Sequence, residues 1–216
     1  MILALIWPLL FSPPNGAVSA QVVFPGHGVA TVTADTSLAA PPALSIVSTE
    51  GAVLLRVEYE LGANLTEEQR RESPVPDTLR FRVVHTPEVG PLVVAAAGSP
   101  GGSDASFETA LVGEIRGSLR DLLPTHPSTS IQDAVCLGRF GRGRQLGVVV
   151  ANFVWGQEAH YAPHRYDVSL YLWSGHGFDL VSKRRTKRRH SSFRGALTEV
   201  GIRCRYDFRR ALLPDF

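Results

Sequence analysis

Alternation of apolar and polar residues predicts β-strands in the first half of this chain. Leu55, Val57 and Tyr59 alternate with charged residues, which is the pattern of a strand with one buried face. Residues 79–85 alternate in the same way, and 91–98 form a continuous apolar run typical of a buried strand. We therefore expect three strands in this half.

The spacing changes after residue 106. Between Phe107 and Leu122 the apolar residues recur at steps of three and four, with charged residues on the other side. This spacing predicts an amphipathic helix. Ser103 or Asp104 can cap its start, and Pro124 ends it. We expect this segment to be the central helix of the fold.

The second half reads as strands again. Short connections join five strand-like segments at 131–140, 146–155, 166–173, 177–184 and 196–206. This arrangement is typical of an antiparallel meander. The pattern therefore predicts an α+β fold, mostly antiparallel β-sheet, with a C-terminal meander of about five strands and one central helix.

Two stretches, LGRFGRGRQLGVVVANF and DVSLYLWSGHGFD, resemble one blade of the FG-GAP repeat of integrin-type propellers. In that family a Gly-rich acidic loop leads into a VVVAN-like strand, and a later strand leads into a G-x-G turn. The resemblance implies a β-meander. The family's loop holds calcium through Asp and Asn oxygens, whereas Arg139, Arg142 and Arg144 occupy it here. Because cationic side chains do not ligate a cation, the resemblance implies no calcium site in this chain.

The N-terminus has the pattern of a secretory signal peptide. Residues 2–11 are an apolar run broken only by Pro8, and Val18-Ser19-Ala20 places small residues where signal peptidase cleaves. The run is too short to span a bilayer. The alternative is an uncleaved N-terminal strand or helix that is buried in the fold.

These features divide the chain into three parts. We predict a signal peptide at 1–20, a Pro- and Gly-rich segment at 21–45, and a single α+β domain at 46–216. The corresponding location is secreted or periplasmic. The 44% apolar and 19% charged composition is that of a globular protein and argues against a disordered chain.

The sequence contains two cysteines, Cys136 and Cys204. An even count in an exported chain favours one disulfide bond. Closing the loop between them would stabilise the fold by roughly 4 kcal/mol in the chain-entropy description. Two inert buried thiols are the alternative.

The net charge of +2 hides an uneven distribution. Residues 1–182 carry 11 Lys and Arg against 17 Asp and Glu, whereas 183–210 carry 11 basic residues against Glu199 and Asp207. Such a basic end favours an anionic partner or pairing with the acidic body of the same chain. Its densest part holds the candidate anion-binding residues Lys183, Arg184, Arg185, Lys187, Arg188 and Arg189.

The basic run lies between two predicted strands, so we expect an exposed hairpin loop. Clustered cations also bind nucleic acid, but an exported protein does not meet intracellular nucleic acid, which argues against that partner. An anionic surface or an acidic protein is the partner that fits an exported chain.

Histidines and carboxylates cluster in a second segment, QEAHYAPHRYD. Glu158, His160, His164 and Asp167 are residue types that bind zinc or share a proton. Pro163 argues against the helix that would bring both imidazoles to one face. We interpret the segment as a polar surface loop and predict no metal and no cofactor.

Three functions follow from these features. The leading hypothesis is an exported, non-catalytic binding or structural module that contacts an anionic partner through its basic C-terminal region. The alternative is a secreted metal-dependent or hydrolase-like enzyme that uses Glu158, His160, His164 and Asp167. A further alternative is a cytoplasmic nucleic-acid binder with an uncleaved N-terminus. The sequence does not specify the oligomeric state.

Overall fold

The structure is a computed structural model that describes residues 18–36, 41–59, 78–99, 106–124, 127–130, 133–156, 159, 162–204 and 207–212. In these ranges the chain forms three antiparallel sheets and two short helices. The fold is thus largely β, and its antiparallel character was predicted correctly. Within the described ranges, neither helix is long and apolar enough to cross a bilayer.

Sheet I contains four strands in sequence order, namely β1 (Ser19–Phe24), β2 (Gly28–Asp35), β3 (Ala43–Ser48) and β4 (Val53–Glu58). The segment predicted as Pro- and Gly-rich therefore supplies much of this sheet. Ser19 and Ala20, the last residues of the predicted signal peptide, pair with Thr33 and Val32 in β2. Residues 1–17 lie outside the described ranges.

Sheet II contains β5 (Thr78–Thr86), β6 (Gly90–Ser99), β7 (Ser106–Ile115) and β8 (Ser118–Asp121), and a short strand, β9 (Ser128–Ser130), pairs with β7. The strands expected at 79–85 and 91–98 are present as β5 and β6. The central helix predicted between Phe107 and Leu122 is wrong, because this segment forms the β7–β8 hairpin.

The apolar spacing of β7 explains the error. Phe107, Leu111 and Ile115 are four residues apart, a distance that keeps them on one face of a strand as well as of a helix. Ala110 and Val112 are also buried, on the opposite face, so apolar and polar residues do not alternate. The turn residues Arg116 and Gly117 both have positive φ, as a tight hairpin requires.

Sheet III contains β10 (Ala134–Phe140), β11 (Gln145–Phe153), β12 (Tyr166–Trp173) and β13 (Phe178–Arg185) in sequence order. Four of the five predicted strands are therefore present as a meander. The fifth, predicted at 196–206, is wrong. Its first residues belong to helix α1 (Phe193–Glu199), which buries Phe193, Ala196 and Leu197.

The three sheets are stacked with sheet II in the middle. One face of β6 carries Val93, Ala95 and Ala97 into the core shared with sheet I. The other face carries Leu92 and Val94, with neighbouring residues, into the core shared with sheet III. Helix α1 packs on β11 and β12 and covers part of the outer face of sheet III.

Two links hold the C-terminal segment to β10. Cys136 on β10 forms a disulfide with Cys204, and their Cα atoms are 5.9 Å apart, which confirms the predicted pairing. Farther along, Asp207 forms a β-bridge with Cys136 and accepts a hydrogen bond from the Val135 N–H over 3.4 Å. The Asp207 carboxylate also pairs with Arg209 over 3.1 Å, and both side chains are buried. The Arg209 guanidinium lies 5.2 Å from the ring centroid of Phe107. Helix α2 (Phe208–Leu212) is thereby fixed against sheets II and III.

Candidate anion-binding site

The basic run is divided between a strand and a connection. Lys183, Arg184 and Arg185 end β13, which is the edge strand of sheet III, and residues 186–192 lead to α1. The predicted hairpin loop between two strands is therefore wrong, since a helix follows. All six cations of the run are exposed, as expected for a charged segment. Cations on an edge strand also disfavour pairing with another sheet.

Strand alternation places the three cations of β13 on two different faces. Arg184 is paired in register with Val168, whose side chain is in the core beneath α1. Arg185 is paired in register with Asp167, on the opposite face. The β13 cations therefore do not form one patch, and each face has its own neighbours.

Arg185 is neutralised by its cross-strand neighbour. Its Nε donates to Asp167 Oδ1 over 2.7 Å, and a second nitrogen donates to Oδ2 over 2.8 Å. The hydrogen bonds from Arg185 hold the pKa of Asp167 below its ordinary value. Arg185 thus pairs with the acidic body of the chain. One of the two interpretations of the sequence expected such pairing for the whole basic run.

The one uncharged residue between these cations points inward. Thr186 is almost fully buried, and its hydroxyl accepts a hydrogen bond from the N–H of Tyr166 over 2.9 Å. The same hydroxyl donates to the carbonyl oxygen of Arg188 over 2.9 Å. Thr186 therefore fixes the turn that directs its charged neighbours toward solvent.

Glu199, at the end of α1, holds the rest of the connection. Its carboxylate accepts hydrogen bonds from the backbone N–H groups of Lys187 and Arg188 over 2.6 and 3.2 Å. It also lies 2.8 Å from Nε2 of His190. The contact with His190, followed by that with the Lys187 N–H, lowers the pKa of Glu199. The acidic group of this region thus bonds to backbone and imidazole.

Lys183 lies close enough to Asp167 to help lower the pKa of that carboxyl, and three further cations of the run have no acidic partner among the described residues. In the described part of the chain, Arg184, Lys187 and Arg188 form no ion pair. We call these three residues the basic edge. Their backbone is fixed by Thr186 and Glu199, whereas their charges are exposed to solvent. This arrangement can bind negative charge with little reordering of the main chain.

Of the four candidate residues in the histidine segment, the structure describes His164 and Asp167. Glu158 and His160 lie outside the described ranges. Asp167 is engaged by Arg185, and His164 is buried, with Nε2 3.0 Å from the carbonyl oxygen of Ala159. Within the described ranges no three His, Cys, Asp or Glu side chains are grouped to hold a metal ion.

His164 instead contributes to the structure around the basic edge. Its backbone N–H and carbonyl form an antiparallel bridge with those of His190, over 3.0 and 2.7 Å. Its side chain lines a cavity of about 350 Å³ together with Trp155, Arg165 and Arg189. The structure thus brings the two segments singled out in the sequence into contact through their main chains.

Two residues near the basic edge were not selected from the sequence. In the sequence Glu199 contributes only to the charge balance, because its role depends on α1 placing it beside residues 187 and 188. The same holds for Arg203. It lies next to Cys204, and the predicted disulfide was a signal that could have placed it close to β10.

No protein family model, curated protein or solved structure is significantly similar to this chain.

Proposed function

We propose that this chain is an exported, non-catalytic binding module that contacts an anionic surface through the basic edge. The observation that carries the proposal is the geometry around Glu199. Its carboxylate bonds to the backbone of Lys187 and Arg188, so the main chain is held and the two side-chain charges are left for a partner.

Neighbouring apolar residues support a surface as the partner. Leu180 and Val181 on β13 are 51% and 53% exposed, on the same edge strand as Arg184. Leu180 is paired in register with Tyr171 and lies on the face that carries Lys183. Cations beside exposed apolar side chains are the combination that binds at the interface of an anionic bilayer. Each Lys or Arg near such a surface contributes about 1 kcal/mol.

The disulfide supports the proposed secreted or periplasmic location. Disulfides persist in oxidising compartments and are rare in the cytosol. Cys136 is 1% exposed, and the partly buried Cys204 packs against the same core beneath α1. In those compartments an anionic envelope surface is accessible to the basic edge.

Vesicle co-sedimentation tests the proposal. The protein should bind vesicles of phosphatidylglycerol and phosphatidylcholine but not vesicles of phosphatidylcholine alone. Binding should be strong at about 0.01 M salt and weak at about 1 M, because the screening length falls from about 30 to about 3 Å. Equal binding to both vesicle types, or binding unaffected by salt, would refute the proposal.

A further inference from the structure

A groove lies on the outer face of sheet III, beside the basic edge. Its volume is about 380 Å³, and Phe140, Val168 and Leu170 contribute its apolar lining. Val200 and Ile202, which follow α1, form an adjoining wall. Pockets for small ligands usually have volumes of about 300 to 1,000 Å³, so the groove is large enough for one small molecule.

The groove exists because α1 is short. Seven residues of helix are about 10 Å long, and α1 lies over β11 and β12. Leu170 and Ile202 pack against the core beneath α1 but remain partly exposed. This surface is therefore only partly covered by the chain itself.

Phe140 reaches the groove because β11 has a glycine beneath it. A Cβ atom at Gly147 would lie 2.9 Å from the Phe140 ring and 2.7 Å from the carbonyl oxygen of Tyr171. The absence of a side chain at this position lets the aromatic ring approach the sheet closely. The apolar lining thus depends on a specific packing arrangement.

Two arginines also line this groove. Arg184 is on β13, and Arg203 is on the segment that the Cys136–Cys204 disulfide fixes to β10. In the described part of the chain neither residue is in an ion pair. A third groove residue, Arg139, is already neutralised by Glu88, with Nη1 to Oε1 at 2.6 Å.

We propose that this groove binds one anionic amphiphile, with its acidic headgroup between Arg184 and Arg203 and its apolar part along Phe140, Leu170 and Ile202. The inference rests on the proposed function and names the molecule that the surface supplies. Two unpaired guanidinium groups match a phosphate or carboxylate, which they bind in bidentate geometry. The apolar lining matches a hydrocarbon segment and favours its transfer from water.

The test uses lysophosphatidylglycerol below its micelle concentration, titrated by calorimetry into the full-length protein. Lysophosphatidylcholine has the same tail without the net charge, and glycerol phosphate has an acidic headgroup without the tail. We expect lysophosphatidylglycerol to bind at least tenfold more tightly than either. The double variant R184S/R203S should lose at least tenfold in affinity for it, without changing the melting temperature by much, because both guanidinium groups are exposed.

A matched variant separates this inference from the proposed function. K187S/R188S also removes two cations, but neither residue lines the groove, so it should keep the affinity for lysophosphatidylglycerol and bind vesicles much more weakly. Vesicle binding without binding of the single lipid would refute the groove and leave the proposed function standing. Binding of the single lipid in the groove, together with vesicle binding that salt does not affect, would refute the proposed function and leave the groove standing. Equal affinity for glycerol phosphate and the lysolipid would also refute the amphiphile.

Discussion

The hydroxyl of Thr186 accepts a hydrogen bond from the backbone N–H of Tyr166 over 2.9 Å. Through this contact the first residue after β13 is joined to the first residue of β12, and the chain turns toward α1. Because the hydroxyl also donates to the carbonyl oxygen of Arg188, one buried side chain sets the position of the following cations.

Replacing Thr186 by valine should therefore destabilise the protein. The two side chains are similar in size, so the change removes the hydroxyl and leaves the buried N–H of Tyr166 without its acceptor. An unsatisfied buried donor costs about 1 to 3 kcal/mol. Urea unfolding measures the loss. Thr198→Val is the control, because its hydroxyl is exposed and bonds to the Arg194 carbonyl oxygen, and it should change stability far less. Equal effects of the two substitutions would contradict this role of Thr186.

Acid should release the connection that Glu199 holds. The folded pKa of Glu199 is lower than its unfolded value, so its stabilising contribution is complete above the ordinary Glu value of about 4.3. The contribution is lost as the pH falls through the lowered pKa of the folded state. Amide NMR shifts of Lys187 and Arg188 should therefore titrate with a midpoint below that ordinary value. The same amides should not show this titration in Glu199→Gln. A midpoint at or above the ordinary value would contradict the hydrogen bonds described for this carboxylate.

A side chain at Gly147 should disturb both stability and the groove. In Gly147→Ala the new Cβ would meet the backbone of β12 and the Phe140 ring at less than 3 Å. Overpacking of this kind typically costs about 1 to 3 kcal/mol. Gly143→Ala is the control, because nothing lies within 4 Å of a Cβ there. Thermal unfolding of both variants checks the prediction, which is wrong if they melt at the same temperature.

The sequence predicts strands where one face is exposed or where a short apolar run is isolated. It fails for β7, because sheet II is covered on both faces and its strand residues Ala110 and Leu111 are both buried. The same pattern of apolar residues then fits a helix. At α1 a helical signal was present, since Phe193, Ala196 and Leu197 are spaced by three and four residues. The fifth strand predicted at 196–206 overlaps that helical signal.

The candidate site was only partly predictable for a related reason. The exposure of the cations follows from their number in a short segment. The pairing of Arg185 with Asp167 depends on the register of β12 and β13, which a sequence without a fold does not provide. The position of Glu199 likewise depends on α1 packing next to residues 187 and 188. Tertiary contacts, rather than local pattern, decide which charges remain unpaired.

The most direct test of the basic edge compares two variants that each lose two cations. K187S/R188S changes two exposed cations whose backbone N–H groups bond to Glu199. R116N/R120S changes two exposed cations of the β7–β8 hairpin in sheet II. Asparagine is used at position 116 because it tolerates the positive φ found there.

Dissociation constants for phosphatidylglycerol-containing vesicles should be measured at about 0.15 M salt, where screening extends over about 8 Å. At about 1 kcal/mol per cation, K187S/R188S should bind about 30-fold more weakly than the unmodified protein, and R116N/R120S should bind nearly as tightly. Equal losses in the two variants, or unchanged binding of K187S/R188S, would contradict a role for the basic edge.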